Sequence, residues 1–432
     1  MRRTSPPGQA GHSPPTEGDK VIAVYCGIDW AEGHHDVAVV DDAGGLLAKR
    51  RITDDPAGLA LLLRVLADCG DTREDPIPVA IETGRGLLVA ALRASGRCVY
   101  AINPFSASRY RDRHTASGKK SDHHDAFVLA NVLRTDRAAH RPLAADSELA
   151  QAITVLARAQ QDAVWSRQQL ANQLRSLLKD YFPAALAAFQ GRGGGLCEAQ
   201  ARAVLTAAPT PTAAARLTST QLRRLLATAG RKRYLDTETE RLQEAFRADG
   251  LRHPPRVETA MGVHARALLT QLDAACSAVE QLTAATDEQF QCHPDAEIIT
   301  SFPGLHNVSG ARLLAEIGDD RDRFNAPASL KAYAGSAPIT RASGKSRAVL
   351  HRRVKNQRLA SVGYLWAFAT LIPSPGARAH YDRRRAHGDR HNAALRNLNN
   401  RLLGCLHHCL LERQPYTEAR AFPSTQAVAA AA

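Results

Sequence analysis

Four carboxylates in the first third of the chain have the types and spacing of a divalent-metal site. Asp29 ends a predicted strand, VIAVYCGID, and Glu82 ends another, IPVAIE. Asp122 and Asp125 lie three residues apart on a predicted helix, so their side chains share one helix face. Mg²⁺ prefers carboxylate oxygens, and a pair of such ions can stabilise both the attacking and the leaving oxygen of a phosphodiester. The four residues therefore predict a Mg²⁺ site for phosphodiester chemistry, in which Mn²⁺ can substitute.

Each of these carboxylates also has an ordinary structural interpretation. Acidic residues at strand ends are common as turn residues or helix caps, and the segment SDHHD allows Asp122 to be the N-cap of its helix. Taken singly, none of the four indicates a metal. The metal interpretation is favoured because all four occur in order, each at the end or start of a predicted element.

The elements that must position these residues lie within 21–145. Three strands come first, with a hairpin signal, DDAGG, between the second and the third. Helices and strands then alternate, which gives the order β-β-β-α-β-α-β-α. This is the order of the ribonuclease H-like fold, in which the first and fourth strands are neighbours. A Rossmann domain is disfavoured, because the first strand ends in Asp29-Trp30-Ala31-Glu32 and lacks the glycine fingerprint.

The composition favours a nucleic-acid partner. The 432 residues carry a net charge of +13, which indicates a polyanion. No apolar run is long enough to span a membrane, and the N-terminus has no secretory h-region. We therefore expect a cytoplasmic protein that associates with nucleic acid and not with a membrane.

The eight cysteines are scattered and indicate no disulfide framework. Cys405 and Cys409 lie beside His407 and His408, which leaves a zinc site open. Small apolar residues on the buried side of a helix are the favoured interpretation.

Beyond residue 145 the chain is predicted to be mainly helical. We predict disordered tails over 1–20 and 416–432, a helical coiled-coil arm over 146–292 and a C-terminal domain over 293–415. The helix over 147–182 has apolar residues at 4-3 spacing, interrupted by Gln160 and Arg167. This seam favours self-association into a dimer or tetramer, and packing within the same chain is the alternative. A helix over 256–292 is its expected return arm.

The predicted C-terminal domain combines a possible phosphate-binding element with a basic surface. SFPGLHNVSGARLLAEIGD resembles a helix-hairpin-helix element, which offers backbone N–H groups to phosphates. The loop AGSAPITRASGKSR follows, and from Arg341 to Arg401 there are fourteen Lys and Arg against two acidic residues. A second basic patch precedes Asp122. The predicted nucleic-acid contacts are Arg109, Arg111, Arg113, Lys119, Lys120, Arg341, Lys345, Arg347, Arg352, Arg353 and Lys355.

The segments CGIDWAEGHHDVAVVD, AIETGRG and KKSDHHDAFVLANVL, followed by the C-terminal segments above, resemble the DEDD-type insertion-sequence transposases. These are the Piv-like, bridge-RNA-guided recombinases, and the resemblance covers 22–415 in order. It implies a RuvC-like N-terminal domain, donor and target DNA as substrates, and a structured guide RNA. It also implies catalytic sites that combine the carboxylates of one protomer with a residue of another.

The resemblance also implies a nucleophilic serine in the C-terminal domain, which falls on Ser343 in RASGKSR. Residue types alone favour an ordinary loop serine beside a glycine. Ser336 and Ser346 are nearby competitors, but family members usually have an apolar residue at the position of Ser336. The family commonly has Thr before the first Asp of the DxxD pair, where this chain has Ser121. This departure is mild.

The expected function is DNA cleavage and rejoining by an insertion-sequence transposase with a Mg²⁺ site and a serine nucleophile. Two alternatives stay open. One is a nuclease of the Holliday-junction resolvase type, which hydrolyses DNA with water and forms no covalent intermediate. The other is a nucleic-acid-binding protein whose catalytic site has decayed, which the presence of all four carboxylates disfavours.

Overall fold

The computed structural model describes residues 23–114, 122–189, 194–344 and 346–423, with side chains described outside 112–124. The chain divides between Ala144 and Ala145 into two compact units, and each has hydrophobic cores of its own. The tail predicted over 1–20 lies outside the described residues.

The first unit contains a five-stranded sheet and four helices among its described residues. In chain order the elements are β1 (Tyr25–Trp30), β2 (His34–Val40), β3 (Leu46–Thr53), α1 (Pro56–Asp68), β4 (Val79–Ile81), α2 (Leu87–Ala94), β5 (Val99–Ala101), α3 (Pro104–His114) and α4 (Asp122–Asp136). The strands lie in the order β3-β2-β1-β4-β5. The pairs β1–β2 and β2–β3 are antiparallel, whereas β1–β4 and β4–β5 are parallel. This small mixed sheet is compatible with a ribonuclease H-like fold.

The alternation of side chains along β1 determines which face of the sheet meets which helix. Cys26 and Ile28 are fully buried in a core shared with α1 and α2. Gly27, which lies between them, and Asp29, which follows Ile28, belong to the opposite face, because successive side chains of a strand alternate. That opposite face is the one that α4 covers.

The basic stretch after β5 is a helix, α3, over much of its length. The sequence analysis assigned no element there, because the segment PFSASRYRDRH has little apolar periodicity. Its buried residues, Ala107 and Tyr110, pack with α4 residues in a small core. The packing of these two side chains helps to hold α3 against α4.

The second unit is almost entirely helical among its described residues. Its elements are α5 (Glu148–Tyr181), α6 (Pro183–Phe189), α7 (Ala199–Ala207), α8 (Pro211–Ala215), α9 (Ser219–Thr228), α10 (Leu235–Arg247), α11 (Pro255–Gln291), α12 (Ala296–Thr300), α13 (Asn307–Ile317), α14 (Pro327–Tyr333), β6 (Ile339–Ser343), β7 (Ser346–Leu350), α15 (Gln357–Thr370), α16 (Pro375–Ala386), α17 (His391–Leu411) and α18 (Glu418–Ala421). The two long predicted helices are present as α5 and α11.

The apolar seam of α5 packs against α11 of the same chain. Ile153, near the start of α5, shares a core with Phe290 at the end of α11, so the two helices run in opposite directions. Gln160, one of the polar interruptions of the seam, donates to Thr283 Oγ1 at 3.0 Å and accepts from Arg312 Nε at 2.9 Å. The seam therefore packs within its own chain, which is the alternative that the sequence left open. Self-association of the arm stays a prediction.

The helix-hairpin-helix-like segment forms α12 and α13, joined by a Pro303-Gly304 turn. Trp366 Nε1 and Thr370 Oγ1 of α15 both donate to the Pro303 carbonyl, at 3.1 and 2.8 Å. Gly304 has a φ of +80°, and a Cβ there would lie 2.8 Å from the Thr370 nitrogen. The turn therefore packs tightly against α15 and anchors that helix.

Two sequence predictions for the C-terminal region need correction. The segment predicted as a loop around Ser343 is a β-hairpin, β6–β7. The tail predicted over 416–432 is ordered up to residue 423. There the Tyr416 ring lies 4.6 Å from the Phe302 ring, and Glu418 accepts hydrogen bonds from Ser374 and Gly376. Residues 424–432 lie outside the described part of the chain.

Candidate active site

The parallel pairing of β1 with β4 places Asp29 and Glu82 side by side. Ile28 is paired with Ile81 in the register of the two strands. Asp29 is the next residue along β1, and Glu82 is the first residue after β4. Because neighbouring strands lie about 4.8 Å apart, the two backbones emerge together at one edge of the sheet. The sequence predicted this neighbourhood from the strand order.

A close approach at Gly27 brings α4 onto the same face as Asp29. A Cβ at Gly27 would lie 2.1 Å from the Ala126 carbonyl oxygen and 2.4 Å from the Ala130 nitrogen. No other residue type fits there. Tyr25, at the start of β1, packs against a core that includes Val132 and Leu133 from the later turns of α4. The helix therefore runs opposite to β1, with its first turn at the Asp29 end of the strand.

The first turn of α4 carries the remaining two predicted ligands. Asp125 Oδ1 lies 2.9 Å from Arg111 Nη1 of α3, and both side chains are largely buried. Asp122 is the first residue of α4, one turn earlier, and its side chain lies outside the described residues. The backbone thus brings all four predicted positions to one edge of the first unit. Arg111, predicted as a nucleic-acid contact, instead pairs with one of them.

The side chains at this edge are of the type that binds a hard divalent cation, but the described ones are not arranged closely enough to hold it. Asp29, Glu82 and Asp125 offer only carboxylate oxygens, which suits Mg²⁺. Among the described side chains, however, no three His, Cys, Asp or Glu residues come together closely enough to hold a metal ion. Asp122 is not among those side chains, and Asp125 is engaged by Arg111. A complete ligand set would need Asp122 and the release of Asp125.

Asp36 is a further carboxylate that the sequence analysis missed. It is paired with Asp29 in the β1–β2 register, and its side chain is 4% exposed. Arg51, paired with Asp36 from β3, donates to its two carboxylate oxygens at 3.0 and 2.8 Å. The β1–β2 register places Asp36 beside Asp29, and the hairpin predicted from the sequence lies between β2 and β3. The two hydrogen bonds from Arg51 fix the Asp36 carboxylate next to the predicted site.

The other predicted catalytic residue, Ser343, lies at the tip of the β6–β7 hairpin. It is paired with Ser346, and Gly344 in the turn has a φ of +53°. A two-residue hairpin turn needs a positive φ at this position, which explains the Ser-Gly order locally. Almost every described residue of the hairpin is exposed. Such a hairpin is marginally stable by itself, so a partner that covers it is expected.

The predicted nucleic-acid contacts differ in their surroundings. Arg109, Arg341, Arg347 and Arg353 are exposed, whereas Arg352 and Lys355 are half-buried. Lys119, Lys120 and Lys345 lie outside the described residues, as does the side chain of Arg113. The described Lys and Arg residues from Arg341 to Arg401 are either exposed or half-buried. The two acidic residues of this run each form an ion pair, Arg378 with Asp382 and Arg384 with Asp389.

A buried ionic network connects the hairpin's base to α5. Glu316, 2% exposed, accepts two hydrogen bonds from Arg158 of α5, at 2.8 and 2.9 Å. The hydrogen bond with Glu316 raises the pKa of Arg158 above its ordinary value. Asn356, which caps α15, donates to Glu316 and to the Tyr333 hydroxyl. The segment after β7 is therefore tied to the arm by charge-assisted contacts.

The zinc alternative at Cys405 and Cys409 finds no support in the described side chains. His407 is buried, and its Nε2 lies 2.8 Å from the Phe324 carbonyl oxygen. Burial raises the pKa of both thiols, which disfavours the thiolate that binds zinc. No metal-binding group was found among the described residues of this helix. Cys409 and His407 lie on the buried side of α17, whereas Cys405 is half-buried and His408 is exposed.

Comparison with known proteins identifies the class. Residues 26–183 match the model of a DEDD-type IS110 family described as Transposase, and residues 296–382 match the Transposase IS116/IS110/IS902 family. The chain is 63% identical over 409 residues to the "Mini-circle putative transposase for IS117" of Streptomyces coelicolor, covering 94% of this chain and 99% of that relative.

More distant relatives align over nearly the same length. An IS900 protein described as uncharacterized, from Mycobacterium paratuberculosis, is 29% identical across 92% of this chain and 98% of its own length. An uncharacterized IS116 protein of Streptomyces clavuligerus is also 29% identical, across 92% and 96%. The protein is an enzyme of DNA transposition. It belongs to the IS110/IS116 family of insertion-sequence transposases.

The described helices include none with the length and apolarity to cross a membrane.

Proposed function

We propose that this transposase cuts and rejoins DNA with a Mg²⁺ site formed by Asp29, Glu82, Asp122 and Asp125 and with Ser343 as its nucleophile. One observation carries the metal part of the proposal. Asp29 and Glu82 each follow a residue of the paired strands β1 and β4, Ile28 and Ile81, at the sheet edge that faces the first turn of α4. The proposed ligands come from three separate elements whose ends lie at this sheet edge, and this convergence supports a shared metal site.

The proposed reaction proceeds through a covalent protein–DNA link. The Ser343 hydroxyl oxygen attacks the scissile phosphorus, a 5′-phosphoserine bond forms, and the 3′ oxygen leaves with a proton as a 3′-hydroxyl. In the second step the 3′-hydroxyl of another strand attacks the phosphoserine, and Ser343 regains its proton. Mg²⁺, when bound, would neutralise charge on the phosphate oxygens. The bond energy is conserved in both steps, so no further cofactor is needed.

The surroundings of Ser343 support this role. The serine is exposed at the tip of a hairpin whose neighbouring residues include Arg341 and Arg347. Guanidinium groups bind phosphate oxygens through paired hydrogen bonds. Side chains alternate along a strand, so Arg341 shares the hairpin face of Ser343, and the exposed hydroxyl has access to a DNA backbone, which a buried serine lacks. Ser336, 6% exposed and hydrogen-bonded to the Lys331 carbonyl, lacks this access.

The proposed partners are donor and target DNA, a structured guide RNA, and further copies of the chain in a dimer or tetramer. The net charge of +13 supports a polyanionic partner, and the family resemblance supports the RNA. In such an assembly the carboxylates of one protomer would act with Ser343 of another. Sequencing the nucleic acid that co-purifies with the protein tests the RNA directly, and one dominant structured transcript is expected.

The metal site is tested by cleavage of a plasmid that carries the gene with its flanking DNA, in the presence of Mg²⁺. Asp29→Asn is expected to reduce strand cleavage by about 100-fold or more, as removal of a charge-stabilising group commonly does. Glu32→Gln is the matched control, since Glu32 is an exposed acid three residues away. Undiminished cleavage by Asp29→Asn would remove this residue from the mechanism.

A further inference from the structure

A polar cavity of about 160 Å³ lies at the base of the Ser343 hairpin. Its floor is the Gly335-Ser336 turn, which precedes β6. Lys355 enters from the segment after β7, and Arg396 and Asn399 enter from α17. The space corresponds to about five water molecules, taking roughly 30 Å³ for each. It has room for one small charged group.

The cavity is lined by cations without a counter-charge. Lys355, Arg396 and His351 border it, and none of its described lining residues is acidic. The described ion pairs include neither Lys355 nor Arg396. Partial burial, together with Arg396 and Lys355, lowers the pKa of His351, as a locally positive potential should. The cavity therefore favours an anion.

The backbone is adapted to hold Lys355 in place. Gly335 has a φ of +71°, and a Cβ there would lie 2.2 Å from Lys355 Cδ. The absence of a side chain lets the lysine stem cross the turn, so its ammonium group is directed by packing and not by a carboxylate. A preorganised cation of this kind loses little freedom when it binds a ligand.

The side-chain carbonyl oxygen of a buried amide that borders the cavity has no hydrogen-bond partner among the described residues. Asn399 is 5% exposed, and its Oδ1 has none. Buried polar atoms are nearly always paired, so an unpaired one on a cavity wall indicates a site that a ligand or water completes. The adjacent Ser336 hydroxyl is already engaged by Lys331 and Asn400.

We propose that this cavity binds a single phosphate group of the DNA strand on which Ser343 acts, held jointly by Lys355 and Arg396. The proposal rests on the proposed function, since it assumes that the hairpin engages DNA. The five-residue strands of the hairpin span roughly 14 Å from tip to base, at about 3.4 Å per residue. The anchor would therefore lie several nucleotides from the scissile phosphate and would fix the position of the strand along the hairpin.

The test measures equilibrium binding of the full-length protein to fluorescein-labelled oligodeoxythymidine, without Mg²⁺, over a range of KCl concentrations. The slope of log K against log salt is negative, and loss of one phosphate contact to a single strand lowers its magnitude by about 0.7. All slopes below are given as magnitudes. Arg396→Gln and Lys355→Gln are each expected to lower the slope by up to this amount. The double variant is expected to lower it by about 0.7 in total, because both cations hold the same phosphate.

Arg378→Gln is the matched control, because Arg378 is an arginine of the same basic surface that already pairs with Asp382. Its slope is expected to stay at the wild-type value. Asn399→Asp keeps the shape of the side chain and adds a negative charge, and weaker binding is expected. Thermal unfolding of each variant verifies that it is folded.

Several outcomes overturn the proposal. A double variant whose slope falls by about 1.4 would indicate two separate phosphates. An unchanged slope in the folded double variant, or an effect seen with oligouridine and not with oligodeoxythymidine, would exclude this DNA anchor. Because Mg²⁺ is absent, failure of the cavity is distinguishable from failure of the Ser343 chemistry. If the slopes change as expected but no covalent protein–DNA adduct forms, the result counts against the proposed function and not against the phosphate anchor.

Discussion

The guanidinium of Arg111 lies 2.9 Å from the carboxylate of Asp125. These residues belong to different helices, α3 and α4, and their pairing occurs at the edge where Asp29 and Glu82 end their strands. A cation bound to Asp125 would take the place of this guanidinium. Arg111 therefore acts as a built-in competitor for one of the four proposed ligands.

Replacing Arg111 by Gln is expected to tighten Mn²⁺ binding about tenfold, equivalent to about 1.4 kcal/mol. The physical reason is that the metal no longer displaces an ion pair in a partly buried site. Titration with Mn²⁺ followed by electron paramagnetic resonance measures the affinity. Arg134→Gln is the control, since Arg134 lies roughly 14 Å along the same helix from Asp125. Equal affinities of wild type and Arg111→Gln would show that the pair does not oppose the metal.

Replacing Gly27 by Ala is expected to separate α4 from β1. The added Cβ would meet the Ala126 carbonyl oxygen at 2.1 Å, and backbone atoms cannot give way as a side chain can. Overpacking of this kind costs about 1–3 kcal/mol or more. Urea unfolding of the first unit measures the loss. Gly33→Ala is the matched control, because a Cβ there meets nothing within 4 Å. Similar stability of the two variants would contradict the described packing.

Asp319 should make the stability of the second unit sensitive to acid. Burial acts to raise its pKa, but hydrogen bonds from Ser147 and His293 outweigh burial, and the pKa is lowered from 3.8. A carboxyl with a lowered folded-state pKa contributes stability above its unfolded value and loses it as pH falls through the folded value. That contribution is therefore complete above 3.8 and declines at lower pH.

The corresponding variant is Asp319→Asn. Its unfolding midpoint in urea is expected to lie below that of wild type near neutral pH, and the difference should shrink as pH falls below 3.8. Asp322→Asn, at an exposed position three residues away, is expected to show neither effect. A constant difference at every pH would mean that the charge of Asp319 is not what stabilises the unit.

The sheet edge was predictable because it depends on local patterns. Alternation in VIAVYCGID sets the faces of β1, and the order of strands and helices makes β1 and β4 neighbours. From these two facts the proximity of Asp29 and Glu82 follows without coordinates. The helix of Asp122 and Asp125 was predictable from its apolar residues. The close approach of this helix to Gly27 was not, because nothing in the sequence says which element lies above a glycine.

The remaining differences arise from contacts between distant residues or from weak local signals. The Ser343 hairpin consists of exposed residues on both faces, so no period-2 apolar pattern marks its strands. The ordered segment after residue 415 depends on Tyr416 meeting Phe302, more than a hundred residues earlier. The role of Arg111 depends on its meeting Asp125, whereas its charge alone suggested a nucleic-acid contact.

The central claim is that Ser343 forms the covalent link to DNA. The most direct measurement is the recovery of a denaturant-resistant protein–DNA adduct from cleavage reactions with wild type, Ser343→Ala and Ser346→Ala. Ser346 is the matched control, because it is the cross-strand partner of Ser343 on the same hairpin. The account predicts an adduct in wild type and Ser346→Ala and none in Ser343→Ala, which should still bind DNA. Cleavage by Ser343→Ala at the wild-type rate, without any adduct, would instead indicate hydrolysis by water and contradict the account.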